Sequence, residues 1–186
     1  MNSARRVGRR SPLPGLQRIL VIGSGGAGKS TLARELAASL SLPLVHLDQH
    51  YWHPGWTPTP EAEWDRVVDR LIAEERWVMD GNYGRTLERR LQRAQAVVWL
   101  DLSRWVCIWR VIRRQASYLG RVRPDLPAGC RERASLDFLL WVWTYPSRRR
   151  PGIRRRLAAL PASTQVIVLQ SARELRAFIA SLPSAS

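Results

Sequence analysis

The sequence predicts an α/β chain: a single domain built on a five-stranded parallel sheet with helices on both faces. Three observations carry this. Short β-branched apolar runs alternate along the chain with segments whose apolar residues recur every three or four positions. A glycine-rich turn at residues 23–28 separates the first such run from the first such segment. The 186 residues, 45% apolar and 24% charged, have the composition of an ordinary globular domain. That composition excludes general disorder, and no run of about 18 uncharged apolar residues is present to span a membrane.

Arg18 to Ile22 is the first strand, and Ser30 to Leu40 the first helix, with Leu32, Leu36 and Leu40 on one face. Pro43 to Leu47 is the second strand. Thr59 is the expected N-cap of a helix that has Pro60 in its first turn and runs to about Ala73. Trp77 to Met79 is the third strand and leads into Asp80-Gly81-Asn82-Tyr83. Arg85 to Arg93 reads as a short basic helix, Ala96 to Leu102 as the fourth strand, and Ser103 to Leu119 as a longer helix. Gly120 to Gly129 is loop-like, Ser135 to Tyr145 helical, and Gln165 to Leu169 the fifth strand. Ser171 and Glu174 form a capping box for the last helix. Residues 1–17 hold Arg5, Arg6, Arg9 and Arg10 with no acid and read as a disordered basic tail, leaving 18–183 as the domain. Ligands in such sheets bind beyond the carboxyl ends of the strands, which directs attention to Asp48, Asp80, Asp101 and Ser171.

Charge is the most unusual property. The net charge is +15, from 30 basic and 15 acidic residues, and Lys29 is the only lysine among them. Such a bias reflects a genome-wide preference for arginine, so arginine content alone says little about nucleic acid, whereas the one lysine marks a place where arginine does not serve. It lies in Gly23-Ser24-Gly25-Gly26-Ala27-Gly28-Lys29-Ser30, the GxxxxGKS pattern of a phosphate-binding loop, with Thr31 following. Glycines let the backbone curl so that its N–H groups point at phosphate oxygens, and the following helix adds its positive dipole end. Lys29 supplies a compact charge to the same oxygens, and the Ser30 hydroxyl is a ligand for Mg²⁺. Cys107 and Cys130 have neither a disulfide framework nor metal-ligand spacing, which indicates a reducing, cytoplasmic setting.

With these features the chain resembles the P-loop kinases of small molecules, the group containing adenylate, shikimate, gluconate and uridine kinases, over residues 18–170. Within that group it most resembles the bacterial topology modulation proteins, through HLDxxxWxPGW (His46 to Trp56), WVxDGNY (Trp77 to Tyr83) and an RPDxPxGC-like stretch (Arg123 to Cys130). The resemblance implies roles. Asp80, at a strand end, would hold a Mg²⁺-bound water as a Walker B acid, and Asp48 would orient or deprotonate an acceptor hydroxyl. Asp80-Gly81 followed by Arg85-Thr86 is similar to the adenylate kinase stretch DGFPRT with one residue inserted, which implies an acceptor-binding Arg85. Where adenylate kinases carry a long nucleotide-binding segment, this chain has the short aromatic stretch His50 to Trp56. Trp52 and Trp56, with Tyr83, argue for a flat or apolar acceptor stacked on rings.

Arg110, Arg113, Arg114 and Ser117 share one helical face, and no acid lies between Asp101 and Asp125 to neutralise them. The Arg110–Arg114 spacing is similar to the RxxxR at the entrance of the adenylate kinase lid, which implies that both stabilise charge on the transferring phosphoryl group. Arg121, Arg123, Arg131 and Arg133 bracket a loop of lid length, at about 115–133. The expected activity is transfer of the γ-phosphate of Mg²⁺-ATP to a small hydroxyl- or phosphate-bearing acceptor, a nucleoside, nucleotide or similar metabolite. The rival is a nucleotide-dependent DNA-binding protein. In that reading the six arginines of Arg148–Arg156, a surface loop beside Trp141, Trp143 and Tyr145, grip a phosphate backbone. No membrane partner is expected, and the acceptor's identity, the donor base and the oligomeric state stay open.

Overall fold

The structure, a computed structural model, describes residues 13, 15–122, 125–132 and 134–183. In chain order it comprises β1 (Arg18–Gly23), α1 (Lys29–Leu40), β2 (Leu44–His46), α2 (Leu47–Tyr51), β3 (Trp52–His53), a 3₁₀ turn (Pro54–Trp56), β4 (Thr57–Pro58), α3 (Glu61–Ala73), β5 (Trp77–Asp80), α4 (Leu87–Arg93), β6 (Ala96–Leu100), α5 (Arg104–Tyr118), α6 (Leu136–Arg148), α7 (Arg150–Ala158), β7 (Gln165–Leu169) and α8 (Ala172–Ala180). Five strands form one parallel sheet in the order β2-β5-β1-β6-β7, and β3 and β4 make a separate antiparallel hairpin.

Alternation along β1 divides the core. Ile19 and Val21 face a cluster with Leu32 and Leu36 of α1, Val111 of α5 and Phe178 of α8. Leu20 and Ile22 face the other cluster, with Trp64, Val68 and Ile72 of α3, Leu91 of α4 and Ile153 and Leu157 of α7. Burial on both faces is why the strands read as unbroken apolar runs. The order puts β5 and β6 on either side of β1, so chain crossovers leave in opposite directions there and open a crevice at the carboxyl ends.

Several boundaries depart from expectation. The second strand stops at His46, and Leu47–Tyr51 coils into α2. Thr59 is not a helix cap: its hydroxyl donates to the Tyr51 carbonyl at 2.6 Å, and Pro60 stands at the N-cap of α3 without a side-chain bond. Helix α6 runs on through Pro146 to Arg148. The arginine tract is not a loop but helix α7, because Pro151 sits in its first turn and Ile153 and Leu157 bury one face. Leu13 is fully buried in the core, and the Gln17 carbonyl accepts from Trp77 N, so ordered packing starts before Arg18; residues 1–12 lie outside the described set. Ser171 caps α8, its Oγ accepting from Glu174 N at 3.1 Å, while Glu174 accepts from Gln170 N at 2.8 Å.

Candidate active site

The crevice is a cavity of about 1430 Å³. Its floor is the glycine-rich turn between β1 and α1. A Cβ on Gly26, whose φ is +76°, would lie 2.3 Å from the Cys107 carbonyl oxygen, so only glycine lets this loop lie against α5. Ala27 N donates to the Ser24 carbonyl at 3.2 Å. Lys29 Nζ donates to the same carbonyl at 3.1 Å, and burial pulls its pKa below the ordinary lysine value, against the opposing charges of Asp80 and Asp48. Gly25, Gly28, Ser30 and Thr31 also line the cavity.

Two carboxylates enter from the adjoining strand ends. Asp80 closes β5, opposite Val21, and is 5% exposed. His46 Nδ1 lies 2.6 Å from its Oδ1, a contact the sequence reading did not anticipate. Burial lowers the His46 pKa, but the hydrogen bond and charge of Asp80 outweigh it and leave the pKa raised. Asp48, in the first turn of α2, accepts from the Tyr83 hydroxyl at 2.6 Å. Burial first, and the Asp48 charge second, raise the Tyr83 pKa far above the ordinary phenol, so this hydroxyl stays protonated and donates.

Residues 81–84 tie these parts together. Asn82 clamps the first residue of the phosphate loop: its Oδ1 accepts from Gly23 N at 3.1 Å and its Nδ2 donates to Gly23 O at 2.7 Å. Tyr83 takes the left-handed conformation, with φ 29°, a strained backbone for a non-glycine residue. Arg90, fully buried on α4, holds this arc by donating to the carbonyls of Gly81 (2.9 Å), Asn82 and Tyr83 (2.9 Å). Burial pulls its pKa down to about 9, still charged at neutral pH. Asn82 was visible in the DGNY motif, whereas nothing set Arg90 apart from its neighbours in the sequence.

Arg85 is turned away from the cavity. It pairs with Glu61 at 2.8 Å and Asp65 at 2.7 Å on α3, so the expectation that it binds the acceptor is replaced by a surface ion-pair role.

Trp52 and Trp56 line the cavity with Tyr51 and Tyr83, and ring centroids lie 5.4 Å apart for Trp52–Trp56 and 4.6 Å for Tyr51–Tyr83. Residues 129–131, in the segment between α5 and α6, rest on this aromatic hairpin. Trp56 Nε1 donates to the Arg131 carbonyl at 2.8 Å, Gly55 N to the Gly129 carbonyl at 3.2 Å, and Cys130 Sγ to the His53 carbonyl at 3.2 Å. On the donor side Ser30 Oγ donates to Asp125 Oδ2 at 3.3 Å. Arg123 and Arg133 lie outside the described residues.

Arg110 Nη1 donates to the Ala27 carbonyl of the phosphate loop at 3.2 Å. Arg114 Nε lies 3.5 Å from Glu132 Oε2, with its guanidinium over Phe138. The acid that the helix itself lacks therefore comes from Glu132, in the segment between α5 and α6. Arg113 and Ser117 line the same cavity. Ser30, Asp80 and Asp125 bring oxygen donors to the lining of this cavity.

The chain shares its fold with solved shikimate kinases. The shikimate kinase from Acinetobacter baumannii, solved with shikimate, is similar with a TM-score of 0.57 at 18% identity, over 90% of this chain and 91% of that one. The shikimate kinase from Bacteroides thetaiotaomicron is similar with a TM-score of 0.55 at 16% identity, over 89% and 95%. No protein-family model and no curated protein sequence matches the chain. Among the described residues, no helix is long and apolar enough to cross a membrane.

Proposed function

We propose that the protein is an ATP-dependent small-molecule kinase, transferring the γ-phosphoryl group to a hydroxyl- or phosphate-bearing metabolite. The observation that carries this is one cavity lined by a glycine-rich, lysine-bearing turn, by an aspartate, Asp48, held by Tyr83, and by the rings of Tyr51, Trp52 and Trp56. The loop amides and Lys29 bind the donor phosphates. Ser30 and Asp80 would hold Mg²⁺, which when bound neutralises charge on the phosphate oxygens. Asp48 accepts a hydrogen bond from the acceptor hydroxyl. As the hydroxyl oxygen bonds to the γ-phosphorus, the bond to the β-phosphate bridging oxygen breaks, ADP leaves, and the acceptor proton passes to Asp48. Arg110 and Arg114 face the developing charge. The lid excludes water, so the γ-phosphate goes to the acceptor rather than to solvent.

The test is ADP release from Mg²⁺-ATP by the purified protein, screened against nucleosides, nucleotides, sugars and cyclic hydroxy acids including shikimate. Turnover stimulated by one class, abolished by Lys29→Ala and reduced at least 100-fold by Asp48→Asn, supports the reading. ATP binding without stimulation by any acceptor, or stimulation only by duplex DNA, overturns it.

A further inference from the structure

The arginine tract that suggested nucleic acid is occupied within the chain. Arg150 Nε and Arg154 Nη2 lie 2.6 Å and 3.3 Å from the carboxylate of buried Asp101, and Arg156 Nε lies 3.5 Å from Glu88. The unclaimed surface is apolar and lies on other helices. Among the described residues, every large apolar side chain that stands exposed belongs to α5, α6 or the segment between them. On α5 these include Trp105 (66% exposed), Trp109 (63%) and Ile112 (46%), and on α6 they are Leu136 (83%), Leu140 (61%) and Trp143 (38%).

Their spacing is regular. Both rows step by four residues and then by three, and on α5 a further step of four reaches exposed Ala116. This is the a/d period of a coiled-coil seam, which the side chains of another helix fill. The inner sides of both helices are already used, since Cys107 and Val111 of α5 and Val142 of α6 are fully buried. Trp105 meets Trp143 with ring centroids 4.9 Å apart, while Arg114, further along α5, lies over Phe138 near the start of α6. The two helices therefore run antiparallel, and the Trp105–Trp143 contact joins the rows into one patch. Six side chains at 38–83% exposure leave roughly 700 Å² of apolar surface open. A typical monomer's largest patch is about 300–600 Å², and each partner in a stable interface covers about 800 Å².

The rows also fit each other. They share one length and one step and run in opposite directions, so a two-fold axis can lay the α5 row of one copy on the α6 row of another and close four helices around a single seam. No residue of either row is charged, and the guanidinium of Arg104 at the edge is held over the Trp143 ring at 4.9 Å. We infer that the α5–α6 face is the interface of a homodimer, in which a second copy of this chain covers Trp105, Leu140 and Trp143. Trp109 also lines the active-site cavity, so the second copy sits at the cavity rim. The inference stands apart from the kinase reading and is tested without nucleotide.

Sedimentation velocity of the full chain, from about 1 to 200 µM and at about 0.1 and 0.5 M NaCl, tests it with wild type, Trp105→Glu, Leu140→Glu and, as a control on exposed Arg155 of α7, Arg155→Gln. Wild type should pass from monomer to dimer over that range. The dimer should be tighter at the higher salt, because salt screens the repulsion between two chains of net charge +15 and leaves the apolar contact in place. Each glutamate variant should weaken dimerisation about 30-fold or more, although it lowers the net charge that opposes association, because a two-fold interface contains the substitution twice. Arg155→Gln should dimerise as wild type does. Circular dichroism checks folding, and Leu140→Ser and Trp143→Ser, which add no charge, give the same reading if a glutamate variant fails to fold. A wild type that stays monomeric throughout, or a dimer equally tight in the Trp105, Leu140 and Trp143 variants, overturns the inference. So does flotation with phosphatidylglycerol vesicles that depends on Trp105 and Leu140 and weakens with salt while the free protein stays monomeric, which would give the face to a lipid surface.

Discussion

Arg90→Met removes one side chain and should disturb three parts of the site at once. The wild-type guanidinium is fully buried, and its donors go to the carbonyls of Gly81, Asn82 and Tyr83. Methionine keeps much of the length but no donor, so three carbonyls lose a charged partner at about 1–3 kcal/mol each. Relief of the desolvation that pulls the Arg90 pKa to about 9 offsets part of this. The net is the range for breaking a buried charged network, about 3–5 kcal/mol. At about 2–4 °C per kcal/mol for a chain this long, the melting temperature falls by roughly 6–20 °C. Function should fall further than stability, because the arc carries both the Asn82 clamp on Gly23 and the Tyr83 bond to Asp48. Below the melting range, Arg90→Met should raise the KM for ATP and lower acceptor-stimulated kcat. Arg90→Lys, whose donors radiate from a point and cannot span the arc, should be intermediate. The assay is thermal denaturation beside steady-state ADP release. A folded Arg90→Met with wild-type kinetic constants would sink the positioning role, and an unchanged melting temperature would sink the energetic argument.

Asn82→Ala removes two hydrogen bonds to Gly23 and should raise the KM for ATP about 5- to 50-fold with the fold intact, checked by nucleotide titration and circular dichroism. Gly129→Ala places a Cβ 2.8 Å from Pro54 Cβ at a φ of +83°, so the lid should undock; faster proteolysis within residues 120–132 and a higher acceptor KM are the readouts. Asp101→Asn weakens both ion pairs that hold α7, and should cost about 3 kcal/mol in urea denaturation and raise the acceptor KM more than the KM for ATP. The folded-state pKa of His46 is raised above its ordinary 6.5, so the stability its proton provides is complete below 6.5 and is lost as pH rises through the folded value. The urea midpoint of the metal-free protein should therefore decline on going from about pH 6 to pH 9, and His46→Asn should flatten that decline.

The sheet and the glycine-rich turn after its first strand were legible in the sequence because their causes are local. A strand buried on both faces needs an apolar residue at every position, and a loop that lies against Cys107 needs glycine at 26. Short elements were not legible. Helix α2 and the β3–β4 hairpin are held by rings from distant positions, Trp64 and Tyr83 against Tyr51, and no local pattern encodes that contact. The arginines show the same division more sharply. Arg89, Arg90 and Arg93 lie on one short helix and are chemically identical, yet Arg89 reaches Asp69 on the surface, Arg90 enters the core, and Arg93 donates to the Ile72 carbonyl. The turn of about 100° per residue separates Arg89 from Arg90, Arg89 and Arg93 share a face yet meet different partners, and all of those partners lie outside the helix. In a chain whose basic residues are almost all arginine, the side-chain type therefore says little and the partner says nearly everything. That argument favours the kinase reading over the nucleic-acid one. A DNA-binding tract needs its charges turned outward to meet phosphates, whereas Arg150, Arg154 and Arg156 turn to carboxylates of their own chain and Arg149 turns to the cavity that holds Asp48. If so, neutralising Arg148 and Arg155 together should leave acceptor turnover intact.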